Sequence, residues 1–253
     1  MPYLLLPPPQ PIVCVGIDLA GVPHRETGIA ILRDGVLTYL APAGEDEAIM
    51  AAVAGAGAGA IVAINAPLTL PRGRCCLDDD CRCRHDPGTR SRALERELLH
   101  MKVPVLATAL IKVLARRGYR LAATLRAAGY APLEVYPFAT LKLLGLPTAG
   151  KRTQLGRRRI HHALQPLVPG LDHPDASEHQ LDAVVCAFTA HLWQQGQTRT
   201  VGADDEGQMI IPSSAAIAAL HPDNPDETPA VRRVAESGAA YDLSEPLGSA
   251  PLE

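Results

Sequence analysis

The sequence predicts an α/β fold: a mixed sheet, part antiparallel and part parallel, with helices on both faces. Three observations carry this reading. Residues 12–18, IVCVGID, form a short apolar run rich in β-branched side chains, which is the composition of a buried strand. Residues 27–32 and 36–41 are two more strand-like runs flanking Arg33-Asp34-Gly35, and Asp-Gly accepts the positive φ of a tight hairpin turn. Residues 178–195 place Leu181, Val184, Val185, Phe188 and Leu192 at the spacing of one apolar helix face.

The remaining elements follow in order. Pro11 bounds the first strand and Asp18 ends it. Residues 45–54 are helix-like, with Ile49, Met50 and Val53 on one side. The Gly-Ala-Gly-Ala-Gly run at 55–59 is a breaker, because it precedes a strand instead of following one. AIVAIN at 60–65 is the next buried strand, stopped by Ala66-Pro67. Residues 72–87 form a loop dense in cysteine and charge. A charged helix is expected over 89–101, and a longer one over 105–128 with a break near Gly118. PLEVYP at 132–137 is a short strand, 138–144 a brief helix and 151–164 a basic helix. Residues 208–211 suit a last edge strand. One domain is therefore expected over 11–212, carrying an insertion at about 68–130. The stretch 213–253, rich in Pro, Ala and acids, reads as a poorly ordered tail.

Composition narrows the function. The hydrophobic share of 47% supports a sizeable core, and with only 4% aromatic residues that core is aliphatic. A formal charge of −3 argues against indiscriminate nucleic-acid binding. The charge is uneven, however. From Ala203 onward ten acids face only Arg232 and Arg233, so that stretch is −8 and the rest of the chain +5. A basic body is compatible with a polyanionic ligand without requiring one. The first ten residues lack the basic start of a signal peptide, and no apolar run is long enough to span a membrane. The expectation is a cytoplasmic protein without membrane association. Its six cysteines are then thiols or metal ligands more readily than disulfides.

Four polar positions stand out: Asp18, Asn65 and Glu134 on strands and Asp182 on the late helix. A buried carboxylate is costly unless it is paired, hydrogen-bonded or bound to a metal. The plain alternative for Asp18 is a turn former ahead of Leu19-Ala20-Gly21. Two-metal phosphoryl-transfer sites draw carboxylates from separate elements, one ion activating water and the other stabilising the leaving oxygen. The order strand, hairpin, helix, strand, strand, late helix, with acids on the first strand and last helix, is the ribonuclease H-like layout.

The segments GIDLAG, TGIAIL, INAPLTLPRGRCC, LEVYP, EHQLDAVVCAFTAHL and EGQMIIP resemble domain-of-unknown-function family four-two-nine. The resemblance covers roughly residues 12–212. It implies a predicted nuclease with a ribonuclease H-like fold. By that resemblance Asp18, Glu134 and Asp182 match acidic metal-ligand positions, with Mg2+ or Mn2+ as the expected ion. Asn65 stands where the family has an aspartate before Ala-Pro, and a neutral amide is the weaker ligand. Glu178 and His179, within one turn of Asp182, are each placed to complete the site. The alternative is a catalytically impaired nucleic-acid- or nucleotide-binding protein of the same fold. Arg116, Arg117, Arg120, Arg157 and Arg158 are the candidate phosphate contacts; the same arginines also read as solvated helix faces.

A second constellation is Cys75, Cys76, Cys81, Cys83 and His85 in CCLDDDCRCRH. Thiols and an imidazole in so short a loop are able to hold Zn2+, although the spacing matches no standard finger. Reduced free thiols and a disulfide remain open beside zinc. The run at 145–151, GLPTAGK, begins like a P-loop, but Arg152 stands where a Ser or Thr is required and the preceding segment reads as helix.

Overall fold

The computed structural model describes residues 11–85 and 90–220. A seven-stranded sheet in the order β3-β2-β1-β4-β5-β7-β6 organises the chain. β1 (Val13–Asp18) pairs antiparallel with β2 (Thr27–Arg33) and parallel with β4 (Ile61–Asn65). β2 pairs antiparallel with β3 (Val36–Ala43), and Asp34 and Gly35 at the turn both have positive φ, as the Asp-Gly signal requires. β5 (Leu133–Glu134) lies parallel to β4 and to β7 (Gly207–Pro212), and β6 (Thr198–Ala203) closes the edge antiparallel to β7. The first five strands thus have the order and directions of the expected ribonuclease H-like sheet.

Alternation along the strands sorts the core into two faces. Val13, Val15 and Ile17 of β1 and Ile29 and Ile31 of β2 pack under α1 (Asp46–Ala56) and α3 (Lys112–Ala127). Cys14, Ala30 and Leu32 point the other way, toward α4 (Pro137–Leu143), α5 (Gln154–Leu164) and α6 (Glu178–Gln194). α2 (Ala93–His100) covers a smaller core against β6 and β7 through Leu94 and Leu98.

Most differences from the sequence reading have a local cause. The strand expected at 208–211 is β7, and it is internal; β6, mostly polar and half-exposed, takes the edge. α3 runs unbroken through Gly118. A Cβ there would lie 2.6 Å from the Pro67 carbonyl oxygen, so glycine lets the helix press against the exit of β4. Because α3 packs on the sheet as the crossover between β4 and β5, the excursion outside the α/β layers is shorter than the expected insertion. The start of the expected tail is also ordered. α7 (Ser214–Leu220) buries Ala216 and sets Ile217 and Leu220 against the α6-side core. The remainder of the tail, 221–253, and residues 1–10 lie outside the described residues. No helix among the described residues is long and apolar enough to cross a membrane.

Candidate functional site

The site forms where β1 and β4 end side by side. Asp18 and Asn65 are register partners, and both follow the parity that faces α6. Ligands in open α/β sheets bind beyond these carboxyl ends of strands. Two glycines bring α6 unusually close. A Cβ on Gly16 would sit 2.0 Å from the Ala183 carbonyl oxygen, and one on Gly28 2.0 Å from that of His179. Helix backbone therefore lies on strand backbone, and the first turns of α6 are held against the end of β1.

The helix start is fixed by a reciprocal cap. Ser177 Oγ accepts from the Gln180 N–H at 3.1 Å, and Gln180 Oε1 accepts from the Ser177 N–H at 2.9 Å. Ser177 Oγ also donates to Glu26. With α6 so placed, His179 Nδ1 donates to Asp18 Oδ2 at 2.6 Å, while the Asn65 amide donates to Asp18 Oδ1 at 2.6 Å. Asp18 is 5% exposed, and its two oxygens are each engaged. The bond to Asp18 raises the pKa of His179 above its ordinary value against an opposing desolvation, with the charges of Asp18, Glu178 and Glu26 adding to the rise.

Asp182 sits one turn further along α6 and pairs with the Lys151 ammonium. Desolvation raises its pKa to about 6, and the nearby Asp18 charge adds to the rise while Lys151 opposes it. Two carboxylates from separate elements thus share one field, offset by Lys151 at Asp182 and by His179 at Asp18. Asp182 lines a cleft of about 450 Å3 together with Asn65, Tyr136, Phe138, Lys151, Arg152 and Glu178, and Asp18 adjoins it through its bond to Asn65. The rings of Tyr136 and Phe138 lie 5.9 Å apart and tilted, giving the cleft one aromatic wall.

Glu134 is not part of this cluster, contrary to the sequence expectation. Its neighbours Leu133 and Val135 pack with the α6-side core, so alternation turns Glu134 to the other face, beside its register partner Ile64. There it accepts from Arg92 Nη1 at 2.8 Å, Arg92 Nη2 at 2.6 Å and the Leu68 N–H at 2.9 Å. Arg92 is 2% exposed and also bonds Glu95 and Thr69. Glu206 accepts from the N–H groups of Arg72 and Ala93, so it belongs to the folded body, although the charge count placed it in the acidic tail. This buried network fastens Leu68, Thr69, Arg72 and the start of α2 to β5 and to the β6–β7 hairpin. The converging carboxylates are two, not three.

The arginines divide as well. Arg117 is buried and bonds Asp46 and the carbonyls of Ala20 and Gly44, so it serves packing instead of phosphate. Arg116 bonds Asp78 and the Leu77 carbonyl. Arg157 donates to the carbonyls of Lys151 and Arg152, steadying the loop that carries the Lys151 side chain into the cleft. Arg120 and Arg158 are exposed, Arg158 within 3.9 Å of Asp175. Lys151 and Arg152, which line the cleft, were not among the residues expected at the site. Both were read as the first residues of a basic helix over 151–164, but that helix begins at Gln154, which leaves them in the turn before it.

All the cysteines are free, and Cys14 and Cys186 serve as small core side chains. The Sγ atoms of Cys75, Cys76, Cys81 and Cys83 lie within 4.8 Å of one another, a group able to hold a metal ion. His85 is exposed and outside that group. Hydrogen bonds from neighbouring thiols push Cys75 up to about 12. Among the described residues these thiols form such a group, and the carboxylates of the cleft do not.

A ribonuclease H-like sheet with a polar, two-carboxylate cleft at its strand ends defines the class. A family model described as "Protein of unknown function (DUF429)" matches residues 16–207, and the chain belongs to that family. Comparisons with curated proteins and with solved structures returned no match.

Proposed function

We propose that the protein is a divalent-cation-dependent phosphodiesterase acting on a nucleic acid, with the cleft beside Asp18 and Asp182 as its active site. The carrying observation is geometric: Asp18 at the end of β1, held by Asn65 and His179, and Asp182 on α6, paired with Lys151, come together beside a cleft that Lys151 and Arg152 also line. Carboxylates drawn from two elements offer hard oxygen donors, which suit Mg2+ or Mn2+ once Lys151 turns from Asp182 to the substrate. Asp18 and Asp182 would hold one ion, with the Asn65 amide oxygen in reach once its amide group turns. The donor set fits a single cation, since Glu134 is committed to Arg92. When bound, the ion supplies neutralisation of the phosphoryl charge and polarisation of its oxygen.

The chain's own residues account for the remaining tasks. Lys151 leaves Asp182 for the substrate phosphate, and Arg152 adds a second positive contact at the cleft. Asp18 occupies His179 Nδ1, so proton exchange with water or the leaving oxygen runs through Nε2. Tyr136 and Phe138 offer a surface on which a base stacks, and this favours a nucleic acid over a simple phosphate ester. The test is hydrolysis of labelled single-stranded, duplex and branched DNA and RNA with Mg2+ or Mn2+. Wild type should cleave at least one of them, and Asp182→Asn and Asp18→Asn should lose cleavage by about a hundredfold or more. The Lys151–Asp182 pair favours a second reading, a nucleotide-binding site closed by lysine. Cation-independent substrate binding without cleavage would select it.

A further inference from the structure

We propose that Cys75, Cys76, Cys81 and Cys83 bind one Zn2+ as four thiolates, forming a structural clamp for the loop between β4 and α2. The site is independent of the cleft. A tetrahedral centre with Zn–S bonds of about 2.3 Å has sulfur–sulfur edges of about 3.8 Å. The four Sγ atoms already lie within 4.8 Å of one another, and Cys75 and Cys81 are 3.4 Å apart. That separation is far beyond the roughly 2.05 Å of a disulfide. His85 is not needed to complete four ligands.

Burial does not explain these thiols. Cys14 and Cys186 are fully buried and serve the core, whereas Cys75 is exposed and the other three are half-exposed. Before the short 3-10 turn at Arg82–His85, the backbone bonds of residues 72–81 include Arg74 N–H to Pro71 and Cys81 N–H to Asp78. The loop is also anchored from outside. Leu77 is 2% exposed, Arg116 bonds its carbonyl and Asp78, and Lys112 pairs with Asp79. The thiols sit inside these anchors, where a cross-link would fix the path of the chain.

A charge argument comes from a different atom. Arg74 donates through Nε to the Cys76 carbonyl at 2.9 Å, while its Nη2 is buried with no partner. An unpaired guanidinium nitrogen is costly. On binding, Zn2+ replaces the four thiol protons, which pass to solvent, and the resulting ZnS4 unit carries charge 2−. Arg74, bonded to the Cys76 carbonyl, is the cation beside it, whereas Lys112 and Arg116 are already paired with Asp79 and Asp78. Four thiolates in tetrahedral reach select a soft or borderline metal over Mg2+.

The experiment uses the full chain purified under reducing conditions from zinc-supplemented culture. Elemental analysis should give about one zinc per chain. Replacement by Co2+ should produce tetrahedral d–d bands with thiolate charge transfer. His85→Ala and Asp182→Asn should keep full stoichiometry, and Cys83→Ser should lose the metal or bind it at least tenfold more weakly. Should Cys83→Ser fail to fold, limited trypsin digestion of wild type decides. Chelation should open cleavage at Arg72, Arg74 or Arg82, and added zinc should restore protection. A chain holding well under one zinc after reconstitution, or holding iron and sulfide instead, overturns the proposal. So does a trypsin pattern that chelation leaves unchanged.

Discussion

Glu134 and Arg92, 42 residues apart in sequence, meet as a two-pronged ion pair on the face of the sheet turned away from Asp18. The pair is almost wholly buried and shares Arg92 with Glu95 and Thr69. Removing one partner of such a pair leaves an uncompensated charge and costs about 3–5 kcal/mol. Glu134→Gln keeps the shape and one acceptor, so its cost falls at the low end of that range. Urea denaturation should register the loss while divalent-cation affinity stays unchanged. A catalytic Glu134 would show the opposite pattern.

Asn65 donates its amide to Asp18, so an acid at that position sets a second carboxylate directly against it. Asn65→Asp should lower the melting temperature without metal, because close carboxylates repel. Mg2+ or Mn2+ should then raise the melting temperature more in the variant than in wild type. Thermal scans at fixed ion concentration check both halves.

His179 gives a pH dependence with a defined sign. Its pKa in the folded protein lies above the ordinary 6.5, chiefly through the bond to Asp18. Stabilisation by this pair is therefore complete below about pH 6.5 and fades as pH rises through the folded pKa. The stability difference between wild type and His179→Gln should be larger at about pH 6 than at about pH 8.5. Asp182 titrates in both proteins, so its effect largely cancels in that difference. Denaturation at the two pH values measures it.

Arg152 and Arg117 should separate binding from folding. Arg152→Ala should weaken nucleic-acid binding and reduce its salt dependence by about one phosphate contact. Arg117→Ala should instead destabilise the fold, since its guanidinium bonds Asp46 and two carbonyls. Filter binding at several salt concentrations, set beside denaturation, distinguishes the two.

Much of the fold was legible because its signals are local. The β-branched run ending at Asp18, the Asp34-Gly35 turn and the stripe on α6 each lie within one element. β6 escaped because TRTVGA is polar and only Val201 of it is buried. Asp18, Asn65 and Asp182, singled out as polar positions on separate elements, lie close together, with His179 beside them. Glu134 misled because the faces of a strand are indistinguishable until its register with β4 is known, and Arg92 carries no periodic mark of its partner. Lys151 read as the first residue of a basic helix, but the helix begins at Gln154 and the turn before it brings Lys151 to Asp182. Gly16 and Gly28 lay inside strand signals, and their role appears only when α6 is laid across them.

The central claim is that Asp18 and Asp182 form a cation site that Lys151 occupies in its own way. Titration of Mn2+ followed by the electron paramagnetic resonance of the free ion tests it most directly, since hard Mn2+ prefers these oxygens to the thiols. Wild type should bind about one ion, Lys151→Met should bind it at least tenfold more tightly, and Asp182→Asn should lose it. Glu134→Gln should match wild type. Equal binding by wild type and Asp182→Asn, or no binding by wild type and Lys151→Met alike, would contradict the account.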